Sequence, residues 1–109
     1  MFVDNLSIHA SQSATPSLQP VRNLLPTGFD VTPTLYGADS WNLIVASSYV
    51  RDASALAASD ILLQRSGLTS STYQVQLSEA QIAGQTVLVY VQGVTNGATS
   101  EWSMPLTVR

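Results

Sequence analysis

The feature that most constrains the fold is a strict alternation of residue types near the C-terminus, in the stretch TVLVYVQGV. Side chains at every second position of a β-strand point to the same face of a sheet. Val87, Val89 and Val91 therefore share one face, whereas Leu88 and Tyr90 point to the other. This spacing predicts a strand whose three valines belong to the structural core.

A turn signal follows directly, in the stretch TNGATSE. Asn96 and Gly97 form one of the strongest tight-turn dipeptides, because both residues tolerate the positive φ that a two-residue hairpin loop requires. The chain then continues into WSMPLTVR. We expect a hairpin whose second strand begins near Trp102, with the indole in the core. Truncation of a tryptophan in such a position costs about 3–5 kcal/mol of stability.

Further segments predict additional short strands, among them DVTPTLYGA, WNLIVASSYVR and STYQVQL. Several short strands between turn signals are typical of an all-β, antiparallel, Ig-like sandwich of about seven strands. Residues 52–58 leave two interpretations open. Their Ala and Leu content favours a helix capped by Asp52, whereas their position between strands favours a loop with at most one helical turn. We prefer the loop, with a strand over residues 60–65.

The composition excludes several functions. Only 10% of the 109 residues are charged, against about 25% in ordinary domains, and the net charge is −3 with no lysine. Nucleic acids and anionic membranes require a cationic surface, which this chain does not offer. No cysteine is present, so disulfides and cysteine zinc sites are excluded.

The first 16 residues differ from the remainder. They are polar and small, apart from Phe2, Val3, Leu6 and Ile8, and show no regular pattern. We expect residues 1–16 to form an extended arm and residues 17–109 to form the domain. The N-terminus also lacks the basic and apolar regions of a secretory signal, which predicts synthesis in the cytoplasm without export.

No catalytic constellation is evident. His9 is the only histidine and lies in the predicted arm, away from any recognisable serine and carboxylate partner. The aspartates are spread over separate predicted loops without the spacing of a metal site. We therefore expect a protein that is not an enzyme and carries no metal or cofactor.

The aromatic residues have two interpretations. They could form a sugar-binding platform, or the tryptophans could lie in the core with the tyrosines as outward cross-strand partners. The residues concerned are Tyr36, Trp41, Tyr49, Tyr73, Tyr90 and Trp102.

The C-terminal hairpin also carries a family resemblance. The matching positions are Val87, Val89, Val91, Gly93, Val94, Gly97, Trp102, Ser103, Pro105 and Val108. Over residues 84–109 this pattern resembles the last hairpin of the fibronectin type III family. The resemblance implies a sandwich that acts as a spacer or binding platform, without an activity of its own.

A role in a larger assembly follows from the sparse charge. Solitary sandwiches protect their edge strands with lysine and other charges, which are scarce here. By analogy we expect a virion component of a bacteriophage, made in the host cytoplasm, such as a capsid decoration or a head or tail fibre protein. Its partner would be the capsid or tail, with self-association and glycan contacts as further options.

The predicted contact residues are Phe2, Val3, Leu6, Ile8, Asn96 and Thr99. The alternative is a carbohydrate-binding, adhesion or spacer module of an extracellular or cell-surface protein.

Overall fold

A computed structural model describes residues 14–108. Their strands are β1 Ser17–Leu18, β2 Arg22–Leu25, β3 Gly28–Val31, β4 Pro33–Thr34, β5 Ser40–Ala46, β6 Ile61–Leu68, β7 Tyr73–Gln76, β8 Leu88–Thr95, β9 Ala98–Thr99 and β10 Leu106–Thr107. The helical segments are two 3₁₀ turns, Ala53–Ala55 and Ala58–Asp60, and one short helix, α1, at Glu79–Ile82. The prediction of an all-β chain is confirmed.

The strands pair in an antiparallel manner throughout. One sheet has three strands in the order β2-β3-β7. A larger sheet has the order β10-β8-β5-β6, with β9 also paired to β8. A separate two-residue pairing joins β1 to β4. The C-terminal hairpin therefore belongs to the larger sheet, and β8 lies inside that sheet.

The main core contains side chains from both sheets, which is why the two sheets enclose one apolar interior. Phe29, Val31 and Val75 come from the smaller sheet. The larger sheet contributes Trp41, Leu43, Val45, Val89 and Val91, and Val87 lies directly before β8. None of these six side chains has exposed surface. The Trp41 indole N–H donates to the Ser70 carbonyl over 2.7 Å, so the one polar atom of this buried ring is satisfied.

A second apolar cluster lies on the opposite face of the larger sheet. It contains Ile44, Ala46, Leu88 and Tyr90 from the two central strands, together with Ala53. Leu88 and Tyr90 point away from the valines, as the alternation indicates. The expectation of an outward-facing Tyr90 is wrong, however, because its side chain is fully buried. The cause is the connection between β5 and β6, which contributes Ala53 to this cluster.

The Tyr90 hydroxyl holds this connection in place. It accepts a hydrogen bond from the Val50 backbone N–H and donates one to the Ser48 carbonyl, each over 2.8 Å. The connection is otherwise loop with two 3₁₀ turns, so the loop interpretation of residues 52–58 agrees with the structure except that a second turn begins at Ala58. The predicted strand over residues 60–65 begins one residue later and is longer, because Asp60 ends the second turn and β6 spans Ile61–Leu68. As one interpretation of the sequence proposed, Asp52 caps the first turn: its carboxylate accepts from the Ser54 N–H over 3.0 Å.

Replacing Tyr90 with Phe tests the role of this hydroxyl. The substitution keeps the ring but leaves the Val50 N–H without its partner inside a folded loop. We expect a loss of about 1–3 kcal/mol in the free energy of unfolding, measured by urea denaturation. Tyr36→Phe is the control, because Tyr36 is exposed, and its cost should stay within about 0.5 kcal/mol. Equal costs for the two variants would contradict the role assigned to Tyr90.

The same hydroxyl predicts a pH dependence. Burial raises the pKa of Tyr90 above the usual value near 10, although the hydrogen bond from Val50 opposes the shift. Above about pH 10 the unfolded chain therefore loses this proton before the folded chain does, and stability falls as pH rises. Urea midpoints between pH 8 and 11 should decline, and the decline should be shallower in Tyr90→Phe. Parallel declines in the two proteins would contradict this assignment.

Candidate functional site

Two buried serines position the segment between β9 and β10. The Ser100 hydroxyl accepts from the Gly93 N–H over 2.9 Å, and the Ser103 hydroxyl accepts from the Val91 N–H over 3.0 Å. Their own backbone N–H groups donate to the carbonyls of Gly93 and Val91, each over 2.8 Å. This irregular segment is therefore attached to β8 at both ends, which fixes the two residues between the serines.

Trp102 is one of those two residues, and it packs against the second cluster. The sequence predicts Trp102 in the structural core, and the ring does pack on a core cluster, although not on the one that contains the valines. The expectation that the second strand of the hairpin begins near Trp102 is wrong, because β9 begins at Ala98 and Trp102 lies in the irregular segment that follows it. The hairpin pattern places Trp102 correctly beside the sheet, but the pattern does not determine on which face the ring lies. The ring is half-buried, so part of it remains accessible on the molecular surface.

Two cavities adjoin at this edge of the larger sheet. The larger has a volume of about 410 Å³ and lies between residues 15–18 and residues 103–106. The smaller has a volume of about 270 Å³. Thr15 and Met104 line both cavities, so the two are neighbours on the surface. We call the larger cavity the edge groove and the smaller the Trp102 cavity.

The two cavities differ in chemistry. The edge groove has no charged residue in its lining. The Trp102 cavity is lined by Trp102 together with Arg51, Asp52 and Glu101. Hydrogen bonds from the Ser54 backbone and hydroxyl hold the pKa of Asp52 below its usual range. Asp52 is therefore a carboxylate at neutral pH, and the cavity combines an indole with groups of both charges.

The predicted contact residues of the hairpin lie elsewhere. Asn96 and Gly97 have φ values of 50° and 81°, as the sequence predicts for this turn, and the Asn96 N–H donates to Asp39 over 2.8 Å. Asn96 and Thr99 are exposed, but neither lines the edge groove or the Trp102 cavity. Phe2, Val3, Leu6, Ile8 and His9 fall outside the described residues. A role for any of these in partner contact stays a prediction.

The aromatic residues do not form a single platform. Trp41 and Tyr90 are buried in different clusters, in agreement with the core interpretation for Trp41. Tyr73 is half-buried and accepts a hydrogen bond from Arg65 over 2.9 Å. Tyr36 and Tyr49 are exposed, but they line neither cavity. Among the aromatic side chains of residues 14–108, Trp102 is therefore the one that combines partial exposure with a place in a cavity lining.

The sequence points to Trp102 and to Asp52 separately, but it does not predict that both line the same cavity. Trp102 was singled out by its place in the hairpin, and Asp52 was singled out as a helix cap. Arg51 and Glu101 were not identified as site residues. Arg51 directly precedes Asp52 and Glu101 directly precedes Trp102 in the chain, and this adjacency is the one sequence signal that could have indicated them as site residues.

Residues 14–108 contain no group of three or more histidine, cysteine, aspartate or glutamate side chains placed to hold a metal ion. No helix within those residues is long and apolar enough to cross a bilayer. The chain matches no known protein-family model, and no curated protein is detectably similar to it.

Truncation of the two tryptophans tests their different settings. Trp41→Ala removes a fully buried ring and should cost about 3–5 kcal/mol or more in the free energy of unfolding. Trp102→Ala removes a half-buried ring, so we expect a cost of about 1–3 kcal/mol. Urea denaturation of both variants gives the comparison. A larger loss of unfolding free energy for Trp102→Ala than for Trp41→Ala would show that the Trp102 ring is closed off from solvent.

Proposed function

We propose that the chain is a fibronectin type III-like sandwich that works as a non-enzymatic interaction module. The described strands support this at the level of topology. If the short neighbours β1 and β2, β3 and β4, and β9 and β10 are each treated as one interrupted strand, the ten segments become seven. That number is the one the sequence pattern predicts.

The partner of β6 supports the same assignment. In a constant-type Ig domain, four strands form one sheet and three form the other, with the fourth strand placed beside the fifth. Here the strand that follows β5 pairs with β5 and not with β7. The smaller sheet consequently has three strands. This distribution favours a fibronectin type III-like arrangement over the constant-type Ig arrangement.

The observation that carries the docking function is the edge groove. Its lining is uncharged, and Met104 within it has 57% of its surface exposed. One wall is residues 103–106, which include the start of β10, the outermost strand of the larger sheet. An exposed sheet edge beside an apolar groove suits an extended peptide, which would bond to the edge while its side chains enter the groove. The proposed occupant is such a segment of a larger assembly protein.

The pairing of β10 determines which backbone groups remain for a partner. Val108 donates its N–H to the carbonyl of Val87, the residue directly before β8. Because alternate residues of a strand point their backbone groups in opposite directions, the N–H and C=O of Thr107 face away from β8. Pro105 has no N–H to offer. The edge can therefore accept a short partner strand, while Pro105 limits pairing of this edge with unrelated strands.

The proposed assembly is a bacteriophage particle, with the chain as a capsid decoration or fibre component. Support comes from the charge-poor composition and from an apolar groove that no described residue fills. The alternative of a carbohydrate-binding or adhesion module is favoured by a separate observation, the Trp102 cavity. The two cavities share Thr15 and Met104, but Arg51, Asp52, Glu101 and Trp102 line only the Trp102 cavity, so the two functions do not exclude each other.

Particle incorporation tests the docking function. A tagged chain expressed in the host during phage growth should appear in purified particles in many copies, measured by quantitative mass spectrometry. Met104→Glu places a charge in the apolar groove and should lower the copy number at least about tenfold, since an unpaired buried charge costs several kcal/mol. Leu24→Glu is the matched control, because Leu24 is similarly exposed, at 52%, on β2 of the other sheet.

The outcomes separate the parts of the proposal. Absence of the wild-type chain from particles contradicts the virion assignment. Loss of incorporation with Leu24→Glu but not with Met104→Glu contradicts the groove and moves docking to the smaller sheet. Both variants should keep the wild-type urea midpoint, which verifies that an effect on incorporation is not an effect on folding.

A further inference from the structure

The Trp102 cavity has a composition that the docking function does not use. Its lining brings together an indole, a guanidinium and two carboxylates from two separate parts of the chain. We propose that this cavity is a saccharide-binding site that takes a neutral hexose or one neutral sugar unit of a glycan. The inference rests on the carbohydrate-binding alternative given above and names its ligand class, and it does not depend on docking on an assembly.

The indole supplies the apolar part of the site. Trp102 packs against the second cluster, is half-buried, and also lines the cavity. Ser100 and Ser103 hold the segment on both sides of the ring. A pyranose has a face of C–H groups that is apolar, and covering that face with a preorganised ring removes both surfaces from water.

The polar residues match sugar hydroxyl groups. Asp52 and Glu101 are acceptors and Arg51 is a donor, whereas each hydroxyl can donate and accept at once. Asp52 is itself fixed, because its carboxylate accepts from the N–H and hydroxyl of Ser54 over 3.0 and 2.8 Å. The site therefore offers a sugar hydroxyl at least one hydrogen-bond donor and at least one hydrogen-bond acceptor.

Charge and size restrict the ligand class. Two carboxylates face one guanidinium, so the cavity carries an excess of negative charge and disfavours sialic acids, uronic acids and phosphates. Its volume of about 270 Å³ lies just below the usual range for drug-sized ligands. The cavity therefore suits one or two sugar units, with a dissociation constant on the order of 1–10 mM for a single unit.

The test uses the two indole N–H signals of the full chain in ¹H–¹⁵N NMR spectra. Trp41 is buried and bonded to Ser70, so its signal is an internal reference. Glucose, galactose, mannose and N-acetylglucosamine are titrated separately to about 50 mM, well above the expected dissociation constant. At least one of them should shift the Trp102 signal saturably and leave the Trp41 signal in place.

Variants separate binding from nonspecific effects. Arg51 and Glu101 are exposed, so Arg51→Gln and Glu101→Gln should keep the fold and weaken binding at least about fivefold through loss of a charge-assisted hydrogen bond. Tyr36→Ala removes an exposed aromatic ring that does not line the cavity and should bind as the wild type does. N-acetylneuraminic acid is the anionic comparison and should bind more weakly than the best neutral sugar.

Several results would overturn the proposal. It fails if none of the four neutral sugars shifts the Trp102 signal, or if the two cavity variants bind like wild type. Tighter binding of N-acetylneuraminic acid contradicts the ligand class. Because Arg51 and Glu101 do not line the edge groove, particle incorporation of their variants should be unchanged, and failure of one function is distinguishable from failure of the other.

Discussion

The pairing of β5 with β8 is the interaction on which the rest of the structure depends. The two strands are in register from Ser40 opposite Val94 to Ala46 opposite Leu88, without interruption. Both faces of this central pair are buried. One face supplies the valines of the main core, and the other supplies Leu88 and Tyr90 to the second cluster. β6 and β10 extend this pair sideways, and Phe29, Val31 and Val75 of the smaller sheet pack in the main core.

Local features could be predicted from the sequence because their causes are local. Alternation in β8 determines which side chains share a face, whatever covers that face. The Asn96-Gly97 turn follows from the φ preferences of two residues. The Asp52 cap follows from a carboxylate that accepts from the backbone N–H two positions later, that of Ser54. Tyr90 was misinterpreted because alternation does not reveal what packs on the second face. That cover comes from a loop of small residues with no apolar pattern of its own.

The two cavities could not be predicted because each is made by distant parts of the chain. The edge groove needs residues 15–18 beside residues 103–106, and the Trp102 cavity needs Arg51 beside Glu101. No period or motif in the sequence relates these positions. Their meeting depends on how Ser100 and Ser103 hold the segment that follows β9. A serine hydroxyl that substitutes for a backbone acceptor leaves no recognisable pattern in a single sequence.

The burial of Tyr90 beneath the β5–β6 connection also constrains the order in which the chain folds. Asn42 and Gln92, which bond across the central pair, are 50 residues apart. The connection can be closed only after β8 has docked, because its anchoring hydroxyl belongs to β8. Non-local contacts of this kind slow folding, since the entropy of a long loop is lost before any contact compensates for it. Any partly folded chain that lacks β8 therefore leaves Ile44 and Ala46 without the Leu88 and Tyr90 side chains of their cluster.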